Sequence, residues 1–135
     1  MKSMNKLLLS LLFIIMILAS CKKPERTAEG PTDVRIRNVT DANFSSVYVN
    51  TGSEDHNYGD IPAAGETDYF RFDKAYHDVV EITLQIDGQE YTTGDQDFTY
   101  AIYIGPDKAT YEVDILDEVL KKLTVNIVLD GPIDD

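Results

Sequence analysis

Cys21 is the only cysteine in this 135-residue chain, and it stands at the end of an apolar run that begins at Leu7. A thiol is a soft, readily ionised nucleophile, so the chemistry open to this position is alkylation or exchange. A lone cysteine excludes an internal disulfide framework. Two histidines lie among acids, His56 with Glu54, Asp55 and Asp60, and His77 with Asp73 and Asp78. Zinc wants three or four nitrogen or sulfur ligands in fixed geometry, which two histidines in separate loops do not supply. Calcium is better matched by the loop acids Glu54, Asp55, Asp95 and Asp97 and the tail acids Asp130, Asp134 and Asp135, but no stretch follows the twelve-residue EF-hand order. Ser45, Ser46 and Ser53 could serve as nucleophiles with His56 or His77 as base, yet none sits in a Gly-x-Ser-x-Gly elbow. The expectation is therefore no metal, no cofactor and no catalysis, the acids forming a solvated surface. The alternative is a calcium-binding or hydrolytic protein using loop acids and His56 or His77. Eight tyrosines and no tryptophan leave aromatic contact as the other chemistry. Tyr48 and Tyr103 fall on the strand faces opposite their aliphatic neighbours and are the candidate ligand contacts, to a protein or a glycan.

From Asp33 onward the period that must position these groups is two. Val34 and Ile36 alternate with Arg35 and Arg37, and Val47 and Val49 with Ser46 and Tyr48. Thr51 to Asn57 reads as a polar loop, Tyr58 to Ile61 as a short extended piece, and Phe70 and Phe72 share a face. Val80, Ile82, Leu84 and Ile86 make the clearest strand, followed by Asp87-Gly88, a strong hairpin signal. Phe98, Tyr100, Ile102 and Ile104 line a further strand ended by Gly105-Pro106, then come Tyr111, Val113 and Ile115, and finally Leu123, Val125, Ile127 and Leu129. Between Asp114 and Lys122 the pattern fits a short helix or a continuous hairpin equally. Seven or eight short strands with Gly and Pro punctuation predict a single all-β domain, an antiparallel β-sandwich.

The leader is set apart from the fold. Lys2 and Lys6 precede Leu7 to Ala19, broken only by Ser10, the layout of a secretory signal. As a helix Leu7 to Cys21 would span roughly 22 Å, short of the roughly 30 Å hydrocarbon core. Its closing residues Leu18-Ala19-Ser20-Cys21 resemble the lipobox of bacterial lipoproteins. That resemblance implies alkylation of the Cys21 thiol by a diacylglyceryl group, cleavage between Ser20 and Cys21, and acylation of the new amine. It implies anchoring in a membrane by lipid. Lys22 stands where an Asp resembles the inner-membrane retention signal of enteric lipoproteins, so the expected address is the outer membrane of the cell envelope. Pro106 to Val113, with Tyr111, resembles the entry to a late strand in immunoglobulin-like and transthyretin-like sandwiches. The whole is similar in plan to small uncharacterised β-sandwich lipoproteins of Gram-negative envelopes.

The expected organisation is a signal peptide at 1–20, the lipidated cysteine and a flexible tether at 21–33, and the β-sandwich at 34–135. Cleavage removes Lys2 and Lys6 and keeps all 24 acids, moving the formal charge from -12 to -14. Such a surface excludes nucleic acid as a partner and favours solubility or cationic partners. The expected function is a lipid-anchored, non-catalytic accessory or binding module.

Overall fold

The computed structural model describes residues 30–134. Eight strands follow in order: β1 Thr32–Asn38, β2 Phe44–Asn50, β3 Asp55–Ile61, β4 Phe70–Phe72, β5 Glu81–Ile86, β6 Gln89–Thr92, β7 Asp107–Asp117 and β8 Lys122–Pro132. They form one sheet in the order β3-β2-β5-β6-β8-β7-β1-β4. The sheet curls so that its two halves enclose a single core built from Val34, Ile36, Val47, Val49, Ile82, Leu84, Tyr111 and Val113, among others. The all-β expectation holds, with one correction to the pairing. β1 runs parallel to β7 and β6 parallel to β8, so the sheet is mixed rather than wholly antiparallel.

Local sequence explains most of these elements. In β1 every second residue is fully buried, Thr32, Val34, Ile36 and Asn38, as alternation requires of a half-buried strand. The strand opens at Thr32, two residues before Val34, where the Thr32 Oγ1 donates to the Gly105 carbonyl at 2.6 Å. β5 buries Ile82, Leu84 and Ile86. Asp87 and Gly88 then take φ of 53° and 76°, the paired positive values of a two-residue type I′ hairpin. β2 carries a bulge between Ser45 and Tyr48, where Ser46 has φ of 51° and its N–H donates to Asp60 Oδ1 at 3.1 Å.

The ambiguous segment is a hairpin. Pairing continues through Asp114↔Thr124 and Ile115↔Leu123, and Asp117 Oδ1 accepts the N–H groups of Val119 and Leu120 to close the turn. Ladder bonds to β7 outweigh the helical spacing of Leu116, Val119 and Leu120, all of which are exposed.

The expected strand over Phe98 to Ile104 does not form. Its one pairing is an isolated bridge, Tyr103 to Tyr76. Of the four alternating residues Ile104 is buried, whereas Tyr100 is 90% and Ile102 62% exposed. Gly94, with φ of 82°, turns the chain away just after β6, and the segment's backbone bonds go to Ala75, His77 and Asp78 rather than to a strand ladder.

Candidate binding cleft at the seam of the curled sheet

This curled sheet has two seams, one where its edges meet and one where its ladder thins to a single rung. At the first, the outer strands β3 and β4 come together. The His56 ring stacks on Phe70 with centroids 3.6 Å apart, and Tyr58 meets the same imidazole edge-on at 4.7 Å. The Tyr58 hydroxyl donates to the Val34 carbonyl of β1 at 2.7 Å. Burial pushes the Tyr58 phenol well above its ordinary value, because the phenolate would lose its water. Asn38 anchors the corner beside this seam. Its Nδ2 donates to the carbonyls of Ala42, Ile61 and Pro62, and its Oδ1 accepts from Thr40 N and Oγ1.

The second seam, between β6 and β8, is built from one pair, Thr92↔Lys122, with Thr92 N–H donating to the Lys121 carbonyl at 3.1 Å. Beyond it β6 ends and β8 runs on without a neighbour on that side among the described residues. The gap is a cleft of about 380 Å³, within the size range of ligand sites. Leu123, Val125 and Ile127 of β8 form one wall, Val79, Val80 and Thr93 the other, and His77 and Asp78 the rim.

The sequence-derived candidates scatter around this frame. His56 belongs to the aromatic seam, and the acids beside it are engaged elsewhere. Glu54 accepts the Asp73 N–H, Asp55 accepts the Tyr48 hydroxyl, and Asp60 bonds Ser46. His77 is exposed on the cleft rim, where Asp78 Oδ1 accepts the Ile102 N–H at 3.4 Å. Ser45 and Ser53 donate to the Gln85 and Lys74 carbonyls. No serine bonds a histidine among the described residues. Asp97 caps Thr99, which holds its carboxyl below the usual range, Asp130 accepts from Thr110 and Tyr69, and Asp134 pairs with Lys108. Among the described residues no three His, Cys, Asp or Glu side chains converge as a metal site would require.

The two tyrosines also part. Tyr48 is 40% exposed on β2, its hydroxyl donating to Asp55, a bond that raises its pKa. Tyr103 is half-buried, stacked on Tyr76 at 5.0 Å with Lys74 over its ring at 5.2 Å. They share no ring contact, so they do not make one aromatic patch. Tyr103 turns inward because its segment is not the strand its spacing predicts. Cys21 and its flank Leu18, Ala19 and Ser20 lie outside the described residues.

Sequence reasoning did not find the cleft. Its only signal is Gly94 closing β6 early, opposite a β8 whose alternation continues beyond Lys122 to Leu129. Among the described residues no helix is long and apolar enough to cross a membrane.

No family model matches the chain, and no curated protein matches it. A solved structure with partial likeness is an NMR structure of a protein from Eubacterium rectale. It is 14% identical with a TM-score of 0.40, the match covering 82% of this chain and 98% of that one.

Proposed function

We propose that this chain is a lipoprotein of the cell envelope, anchored through Cys21, whose immunoglobulin-like body acts as a non-catalytic binding module. The observation that carries the reading is polarity along the body. The chain enters β1 at the end where Thr32 meets Phe72, Asp33 meets Lys108, and Lys108 meets Gly131. The 11-residue strands β7 and β8 lead away from that end, reaching roughly 35 Å at about 3.3 Å per residue. At the far end stand the exposed Leu116, Val119 and Leu120, and the cleft opens in the same half of β8. A body hung by its N-terminus thus presents apolar side chains and a concave site outward. Exposed apolar clusters of this kind mark interaction surfaces.

Two measurements test it. Fatty-acid labelling of intact cells should mark the native protein and not Cys21→Ser; equal label in both rejects the anchor. A photo-crosslinking residue at Leu120 should give a discrete adduct that the same residue at Asp134, near the entry end, does not. Equal adducts, or none at either position, reject the binding module.

A further inference from the structure

The open seam has a defined chemistry, set by which way the β8 backbone faces. The Val113 carbonyl accepts the Val39 N–H at 3.2 Å, so the polar groups of Val113 point to β1 and away from β8. Val125, its register partner, therefore turns its own N–H and C=O away from β7, and Ile127, opposite Tyr111, does the same. Lys121, of the same parity, already bonds Thr92 on that side. The donors and acceptors of Val125 and Ile127, unpaired among the described residues, thus point into the cleft, where the line of β6 would have continued. A strand edge of this kind is a template for another strand. Side chains at Val80 and Leu123 are buried below it, so an added strand would meet an apolar floor at every second residue.

Charge selects the occupant. Residues 30–134 hold seven cations against 21 acids. Arg35, Arg37, Arg71 and Lys108 are already in ion pairs, Lys74 and Lys121 lie over tyrosine rings, and Lys122, at the Thr92 rung, is the seventh. The rim carries Asp78, and Glu81 stands next to the wall. The surface field favours cationic polypeptide and disfavours acidic polypeptide.

We propose that the cleft binds an extended segment of a partner protein with alternating apolar and Lys or Arg residues, which adds as a strand to Val125 and Ile127 of β8. This rests on the binding-module reading and names its partner class; it does not depend on the lipid.

The test uses the full chain in detergent micelles and the capped peptide Lys-Val-Lys-Val-Lys-Val-Lys. Saturable binding is expected, with amide exchange at Val125 and Ile127 slowed at least ten-fold. Thr124 and Asn126, whose amides face β7, should change little. Two further peptides are N-methylated, one at every valine and one at every lysine. Because alternate residues of a strand bond to opposite sides, one of them should lose at least ten-fold in affinity and the other should not. Equal binding by both, absence of binding, protection confined to other strands, or equal binding of a Glu-Val peptide would each overturn the proposal. If the peptide fails while the Leu120 adduct persists in cells, strand addition alone falls and the binding module stands.

Discussion

The two seams of the curled sheet join strands of the same domain by opposite means. The β3–β4 seam has no continuous ladder across it, yet it is filled by His56, Tyr58, Phe70 and Phe72 and tied by the Tyr58 and Asn38 hydrogen bonds. The β6–β8 seam has backbone pairing, but at a single position, and then opens. Side chains can close a sheet as effectively as a ladder, whereas one ladder rung leaves a free edge. This is why His56, which in sequence is only an alternative candidate base, packs among aromatic rings, while His77 and a strand edge border the cleft. The contrast predicts that substitutions at the first seam weaken the fold and that those at the second mainly alter what the cleft can hold.

Asn38→Ala should have the largest effect. Asn38 is fully buried and its amide satisfies three carbonyls. Removing it breaks all three bonds, the one to the Ile61 carbonyl a buried one, at a cost of about 3 kcal/mol. Lys122→Ala, at the single rung of the other seam, leaves the backbone pair intact and should stay within about 0.5 kcal/mol. Urea midpoints with unchanged slope would report both. Equal losses would show that the seams are energetically alike.

Gly52→Ala comes next. Gly52 has φ of +92°, and a Cβ there would lie 2.7 Å from Phe98 Cδ1. Left-handed backbone with a side chain costs roughly 1–2 kcal/mol, and the displaced ring adds to it. A loss of about 2 kcal/mol is expected. Phe98 also packs on Tyr76 at 5.7 Å, so near-ultraviolet dichroism should change with it. A silent substitution would mean that Phe98 does not hold the diverging segment in place.

A smaller effect separates the seams by pH. Burial raises the Tyr58 and Tyr111 phenols above the ordinary value of about 10. Groups raised in the folded state contribute stability that is fully present below the unfolded pKa and lost as pH rises through the folded one. Melting temperature should therefore fall with alkali from about pH 10 upward. Tyr58→Phe costs about 1 kcal/mol at neutral pH, through loss of the bond to the Val34 carbonyl, and makes the alkaline fall shallower. The remaining slope is shared by Tyr111 with Tyr48, Tyr69 and Tyr76, whose phenols are also raised, and Tyr58→Phe/Tyr111→Phe should remove the part that belongs to the two most buried rings. An unchanged slope would place the Tyr58 hydroxyl in water and the first seam ajar.

Much of this fold is legible in the chain because its strands sit half in water. In β1 and β5 alternation names the buried face correctly, and Asp87-Gly88 names the turn. Parallel pairing of β1 with β7 is not legible, since alternation carries no direction. Nor are the aromatic seam and the cleft, which depend on where the curl of the sheet brings its outer strands and on β6 ending before β8. Asn38 is in phase with Val34 and Ile36, but only the fold shows what its buried amide holds.

Phe98 to Ile104 shows what alternation leaves open, and it yields the smallest expected effect. The segment has the same period-two spacing as β5, but β5 has β2 and β6 on either side, while this stretch has a single isolated bridge, to Tyr76. Its course is fixed by backbone bonds, His77 N–H to the Ile102 carbonyl and Ile104 N–H to the Ala75 carbonyl, both 2.9 Å. Side chains at Tyr100 and Ile102 project into water and contribute little. Tyr100→Ser and Ile102→Ser should each change stability by less than about 0.5 kcal/mol, against about 3 kcal/mol for Leu84→Ala at the matching phase of β5. A loss above about 1.5 kcal/mol at Ile102 would mean that its side chain is buried in solution. The stretch would then lie against β8 as the strand its spacing implies, and the edge at Val125 and Ile127 would already be occupied by the chain itself.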